Sequence, residues 1–402
     1  MAPLNPLHLL IGLTTVTHIA STGTRFTVTM AALKLGASPF DVGLLMAAFA
    51  LLPMLIAVKA GRIADRIGVR LPMMTCAVIA IAAVLLPFFW HTLTALFITS
   101  IFLGGAGNVI YMSTQPLVGR YGRPEDRPAN FGLFAMGYST SSFVGPVLAG
   151  YFIDYISVPA TFLLLAALPL PFLAVLILNR LPLAGERAQR APTPDKESGS
   201  TRSVLELLRE PRLFRLYAIG ILFATAWDMF IVLAPVYCAS VGLSASRTGI
   251  VTGMFSIGTF LIRGTVRVMS RYYAPWQMLI LSAVGIGLST LGFGLVATFP
   301  LLVTFALLLG LGHGLSAPMI NTLLYEASPA DRVAEAVGLR MTASNAIQTT
   351  LPLVAGAIGA AVGIAPVFWG TALVLLGGGY VTRSQWHTPR ENTPRKDAGK
   401  PH

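Results

Sequence analysis

Twelve apolar runs, each about as long as a bilayer crossing requires, follow one another along the chain between charged or Gly/Pro-rich stretches. A helix needs roughly 20 predominantly apolar residues to cross the hydrocarbon core. The runs place helices near 8–32, 40–59, 71–90, 93–117, 131–153, 159–179, 214–238, 246–266, 276–296, 299–322, 338–362 and 364–382. With no water to bond exposed backbone, only helices and closed barrels span membranes, and runs this long exclude barrel strands. Only 11% of the 402 residues are charged, against roughly 25% in soluble domains. The expected fold class is an all-α membrane protein with 12 transmembrane helices.

Lys and Arg accumulate in short cytoplasmic loops because they resist translocation. The segments 59–70, 118–130, 180–215, 263–271, 332–340 and 383–402 hold 25 of the 28 basic residues, whereas only Lys34 and Arg247 lie in loops on the other side and Arg25 falls inside a span. With an even number of spans, both termini are expected to be cytoplasmic. Between the sixth and seventh spans the polar stretch APTPDKESGSTR cannot bury a core and reads as a linker. The expected organisation is an N-terminal six-helix bundle (1–180), a cytoplasmic linker (181–213), a C-terminal six-helix bundle (214–382) and a cytoplasmic tail (383–402).

An internal repeat supports that division. A shift of 206 residues superposes Gly36 on Gly242, Ser38 on Ser244, Gly43 on Gly249 and Gly104 on Gly310. It also superposes Gly132 on Gly338, Pro146 on Pro352, Ala149 on Ala355 and Gly150 on Gly356. One constant offset across five helices, concentrated on Gly and Pro, points to two homologous halves. Parallel repeats of this kind enclose a substrate site near the membrane midplane and expose it alternately to the two sides.

The net charge of +12 does not indicate nucleic acid, because the basic residues lie between apolar runs and not on one solvated face with stacking aromatics. Cys76 and Cys238 have no metal-ligand spacing and fall near opposite membrane faces, so both read as buried small apolar residues, not a disulfide. Met1 to Leu7 carries no positive n-region, so the first run reads as a retained span. No Walker loop, H-E-x-x-H motif or nucleophile–base constellation is present. No metal or cofactor and no enzymatic activity are expected.

The run Gly61-Arg62-Ile63-Ala64-Asp65-Arg66-Ile67-Gly68-Val69-Arg70 between the second and third spans resembles the G-x-x-x-D-R-x-G-R-R signature of the major facilitator superfamily, with Val69 in place of one basic residue. The resemblance implies that Gly61, Asp65, Arg66, Gly68 and Arg70 form a cytoplasmic latch between the bundles. The second half keeps only a worn copy, Arg267 to Arg271, without glycines or carboxylate. Gly137, Ser141, Gly145, Pro146, Ala149 and Gly150 in the fifth span resemble the G-x-x-x-G-P-x-x-G-G helix-packing element of the superfamily's antiporters, which implies export; a generic small-residue packing face is the alternative. The arginine that drug-efflux members carry in the fourth span is missing, with Ser100 and Ile101 at the candidate positions.

An ionisable residue at the centre of a span costs about 2.5–3.5 kcal/mol on insertion scales and marks a functional site. Asp228 lies mid-way along the seventh span and Arg25 in the outer half of the first. The repeat superposes Asp228 on Thr22, one turn from Arg25, so the two charges are expected to face each other as a proton-titrating group and its counter-ion, or as a permanent structural pair. Thr14, His18, Ser21 and Arg25 form one polar helix face, expected toward a water-filled cavity. Polarity, with the resemblance placing the first, fourth, seventh and tenth spans around the cavity, adds Thr22, Asn108, Tyr111, Gln115, Tyr138, Trp227, His313, Asn345 and Gln348 as candidate substrate contacts. Arg263 and Arg340, near cytoplasmic ends, read as snorkelling side chains.

The expected function is secondary active transport, proton-coupled efflux of a small organic compound by alternating access. Proton-symport uptake and a non-transporting sensor of the same fold are the alternatives. The expected partners are a small-molecule substrate, protons and the lipid bilayer, with no nucleic acid, and the chain is expected to act as a monomer in a bacterial inner membrane.

Overall fold

The computed structural model describes residues 5–121, 123, 126–181, 209–329 and 333–386, among which there are thirteen helices and no strand. The N-terminal half contains α1 (Pro6–Lys34), α2 (Pro39–Ile67), α3 (Arg70–Phe89), α4 (Leu93–Arg120), α5 (Arg127–Tyr155), α6 (Val158–Ala167) and α7 (Leu170–Ile177). The C-terminal half contains α8 (Pro211–Ser240), α9 (Ala245–Met269), α10 (Pro275–Leu295), α11 (Phe299–Ala327), α12 (Val333–Val362) and α13 (Ile364–Trp386). Among the described residues, nine stretches are long and apolar enough to cross a membrane. Helices α1 and α5 are 29 residues each but too polar to count among the nine, as expected where one face lines a wet cavity.

Local chemistry sets the helix starts. Asn5, Ser38, Thr92, Ser157 and Ser244 each accept a hydrogen bond from a first-turn N–H. Pro6, Pro39, Pro211 and Pro275 open helices at a position where no N–H is needed.

Two expectations need correction. The sixth span, read as one helix over 159–179, is α6 and α7 broken at Leu168 and Pro169. Pro169 and Pro171 supply no N–H to the carbonyls four residues earlier, a defect that apolar character hides. The run 61–70, read as a loop, is helical except at Gly68 and Val69, because α2 continues to Ile67 and α3 begins at Arg70. Hydropathy marks the part of a helix inside hydrocarbon, whereas α2 and α4 extend past it to basic last turns at Arg66 and Arg120, where cations suit a helix C-terminus. Both cysteines are free, Cys238 buried and Cys76 only half-buried.

The repeat is present in the contacts themselves. Gly36 and Gly242 both adopt positive φ, 81° and 82°, to end α1 and α8. In each case the following N–H reaches five residues back at 3.0 Å, Ala37 to Ala32 and Leu243 to Cys238, a Schellman closure for which glycine is the natural residue. Helix α2 packs on α12 and α9 on α5, so each half presents one helix to the other. These seams differ in polarity. The Asp154 carboxylate at the end of α5 accepts hydrogen bonds from the Ala245 N–H (3.1 Å), the Ser246 N–H (2.7 Å) and the Ser246 Oγ (2.5 Å) at the start of α9. The position matched to Asp154 in the other half is Ala360. At the start of α2 the capping carboxylate is local instead, Asp41 accepting from the Ser38 N–H and Oγ.

The core is divided unequally. At the end of the bundle away from the chain termini, one cluster runs through both halves, joining Phe26, Phe49 and Phe162 to Phe230, Phe255, Phe293 and Phe368. Toward the end that carries the termini each half has its own cluster. Leu10, Met73, Leu117 and Phe172 belong to the N-terminal one, and Leu216, Phe223, Ile286 and Leu323 to the C-terminal one. The halves are therefore fused at one end and separate at the other.

Candidate functional site

Between the halves, bounded by the shared core, lies a cavity of about 420 Å³, within the range of small-molecule sites. From the N-terminal half it is walled by α1, α4, α5 and Met46 of α2, and from the C-terminal half by α8 and α9. Of the candidate contacts, His18, Thr22, Arg25, Tyr111, Tyr138 and Trp227 line it.

The face of α1 toward the cavity is His18, Thr22, Arg25, Phe26 and Thr29. It is rotated from the expected stripe: Thr14 is buried, bonding to the carbonyls of Leu10 and Ile11, and Ser21 donates to the Thr17 carbonyl. His18 Nδ1 lies 2.5 Å from the Ser141 Oγ on α5, and its ring packs 4.1 Å from that of Tyr138. The Thr22 hydroxyl donates to the Ser141 carbonyl at 2.8 Å. Tyr138 also meets Phe134 at 4.6 Å and Tyr111 at 5.0 Å, giving an aromatic wall with hydroxyl tips. Arg25 is exposed to the cavity and places its guanidinium carbon 4.8 Å above the Phe49 ring, a cation–π contact.

On the opposite wall, Trp227, Ile231 and Pro235 of α8 face the cavity. Asp228 is the next residue round the helix. Its Oδ2 is sealed and without a hydrogen-bond partner. Arg25 lines the cavity, and Asp228, next to Trp227 on α8, does not.

Four candidate contacts do not line it. His313 is only 3% exposed, enclosed by the rings of Trp227, Phe255 and Phe223 at 5.6, 5.5 and 6.4 Å, with Nε2 unpartnered. Asn108 has its Oδ1 buried without a partner; Gln115 is half-buried on α4 and Gln348 exposed on α12. Polarity selected these residues, but their helix faces turn into the bundle or outward. The side chain of Asn345 lies outside the described residues.

Several wall residues were not anticipated. Thr252, Ser256, Thr259 and Arg263 of α9 line the cavity at spacings of 4, 3 and 4, the same signature that singled out α1. The family resemblance directed attention to the first, fourth, seventh and tenth spans and away from this eighth one. Arg263, read as snorkelling, reaches the cavity instead.

The packing element of α5 lies between two neighbours. Gly145 meets Thr22 and Gly23 of α1, Pro146 offers its carbonyl to Gly249, and Gly150 meets Ala245 and Ser246. Of the latch candidates, Gly68 ends α2 at φ 87°, Arg66 is exposed, and the surroundings of Gly61 and the side chain of Asp65 lie outside what the structure describes. Arg70 donates to the Leu176 carbonyl through Nε (3.1 Å) and Nη2 (2.7 Å), and also to Asn179. These bonds tie α3 to the end of α7 within one bundle.

The family model described as Major Facilitator Superfamily matches residues 10–297 and 219–401. Similar solved structures include a POT family transporter in complex with a thioalcohol-conjugated peptide, with TM-score 0.77 and 15% identity, covering 94% of this chain and 95% of that one. The peptide transporter POT in complex with sulfate gives TM-score 0.77, 15% identity and 94% coverage of each chain. The nucleoside transporter NupG gives 0.73 and 15%, covering 95% of this chain and all of its own. No curated protein sequence matches the chain.

Proposed function

Because the chain belongs to the major facilitator superfamily and is a multi-pass membrane transporter, not an enzyme, we propose that it moves a small organic compound through the central cavity by alternating access, coupled to protons and directed outward. The observation that carries this reading is the division of the core. The halves share one cluster at one end and keep separate clusters at the other, the arrangement of a rocking pair caught in one of its two states.

Basic residues concentrate at the separated end, so the cavity faces the cytoplasm in this state. The cargo enters there, the bundles rock outward and release it, and Asp228 takes up a proton on the outer side that the return carries inward. Arg25 is the counter-ion whose hold on Asp228 changes through the cycle. The chain acts as a monomer in a bacterial inner membrane. Outward direction is supported by the Gly145-Pro146-Gly150 element, which resembles that of antiporters. Uptake by proton symport is the second reading, favoured by the fourth span, where Ser100 is buried and bonded to the Leu96 carbonyl at 2.9 Å in place of an antiporter's arginine.

The test is proton movement by the purified protein in liposomes when candidate compounds are added, wild type against Asp228→Asn. Compound-dependent proton flux that the substitution abolishes in a folded protein supports the reading, and its sign separates exchange from symport. Equal responses from the two proteins would remove Asp228 from the coupling role.

A further inference from the structure

We propose that the cargo is an organic acid, a single carboxylate on a flat apolar body, with Arg25 as the group that binds the carboxylate. The inference rests on the reading of the central cavity as the transport site. The sequence places one basic and one acidic group there, which suits an anion, a zwitterion or an amphiphile alike. The structure separates the two groups. Arg25 lines the cavity and Asp228 does not, and among the described residues no Asp or Glu lines it at all. The second charged group on the wall, Arg263, is also a cation.

Arg25 is equipped for an incoming anion. Its guanidinium carbon lies 4.8 Å above the Phe49 ring, and no described residue accepts a hydrogen bond from it. The planar fork of an arginine whose N–H groups are not taken by the protein matches the two oxygens of a carboxylate. A cation of this kind selects against positively charged cargo by like-charge repulsion.

The rest of the wall sets the body. Tyr138 and Tyr111 meet at 5.0 Å on the wall from the N-terminal half and Trp227 lines the wall from the C-terminal half, a lining that suits a flat apolar group. Counted from the fused end, Arg25 lies nine residues inside α1 and Arg263 eighteen residues inside α9. At 1.5 Å per residue the two cations are offset by about 14 Å along the bundle. That leaves room for one or two rings beyond a carboxylate seated on Arg25, with Arg263 attracting the acid at the mouth.

Calorimetry on the purified full chain with naphthalene-1-acetate, naphthalene-1-acetamide and 1-naphthylmethylamine tests this, because the three share a ring system and carry a negative, no and a positive charge. The acetate is expected to bind about tenfold or more tightly than the amide, the effect of one charge-assisted contact, and the amine most weakly. Arg25→Gln should bring the acetate down to the affinity of the amide, and Arg25→Lys should retain part of the preference. The ligand series on the wild type stands whether or not the variants fold. Equal affinities, a tighter amine, no binding of the acetate, or unchanged acetate affinity in folded Arg25→Gln overturns the proposal. Acid-selective binding without coupled flux strikes the proposed transport alone, and coupled flux without acid selectivity strikes this inference alone.

Discussion

The α-carbon of Gly249 on α9 lies so close to the backbone carbonyl of Pro146 on α5 that a methyl group at Gly249 would overlap the oxygen. The repeat reproduces the contact with the halves exchanged, Gly43 on α2 lying against the carbonyl of Pro352 on α12. A backbone carbonyl has no rotamer by which to withdraw, so a larger residue must push the helices apart.

Gly249→Val is accordingly expected to destabilise the fused end by about 1–3 kcal/mol, the usual cost of overpacking. The control is Gly132→Ala, since nothing lies within 4 Å of a Cβ there. Thermal melts of the two purified variants should separate them; a Gly249→Val melting temperature equal to wild type would contradict the contact.

Removing the Asp154 carboxylate frees two N–H groups and a hydroxyl at the start of α9. The carboxylate is exposed, so the loss from Asp154→Ala is placed at about 1–2 kcal/mol, which shifts the balance between states roughly five- to thirtyfold. Spin labels on Ile156 and Leu295, both exposed, report it through the fraction of molecules with a longer separation. An unchanged distance distribution would show that the bonds are incidental to the conformational balance.

The fold was largely legible in the sequence because the bilayer imposes length and composition on every span, and because the 206-residue repeat preserves glycines at backbone contacts. The site was legible only in part. Arg25, His18 and Trp227 were found because a polar or amphipathic group within a span is costly and therefore conspicuous. Polarity does not report which way a helix face turns, so it does not distinguish His313, which three aromatic rings enclose, from a wall residue. The stripe on α9, Thr252, Ser256, Thr259 and Arg263, has the same spacing as the one on α1, so it too is legible in the sequence, although the family pattern of cavity-lining spans does not include it. The break at Pro169 escaped notice because proline leaves an apolar run apolar while removing one backbone donor.

Ser141 couples two helices through the His18 ring. Ser141→Ala leaves a half-buried imidazole nitrogen without this partner, expected to cost about 0.5–1.5 kcal/mol. In a His18→Phe background the same substitution should cost much less. A double-mutant cycle on melting free energies measures the difference, and purely additive effects would mean that the close contact contributes nothing.

His313→Leu makes the opposite prediction. The unpartnered Nε2 is a desolvated polar atom, so replacing the ring by an apolar side chain of similar volume is expected to leave stability unchanged or raise it by about 1 kcal/mol. Denaturation of the purified variant decides it. A marked loss of stability would mean that the nitrogen has a partner in the folded protein.

The contrast between Asp154 and Ala360 has a mechanical consequence. The fused end resembles a double door in which only one leaf is bolted. At the α2–α12 seam Ala360 stands in the place of the Asp154 carboxylate and packed surfaces can slide there as they yield, whereas the α5–α9 seam must release the polar bonds of Asp154 before it moves. Opening should therefore proceed in order, with the unbolted leaf giving first, and the time the door stays shut is set by the chemistry of one side chain.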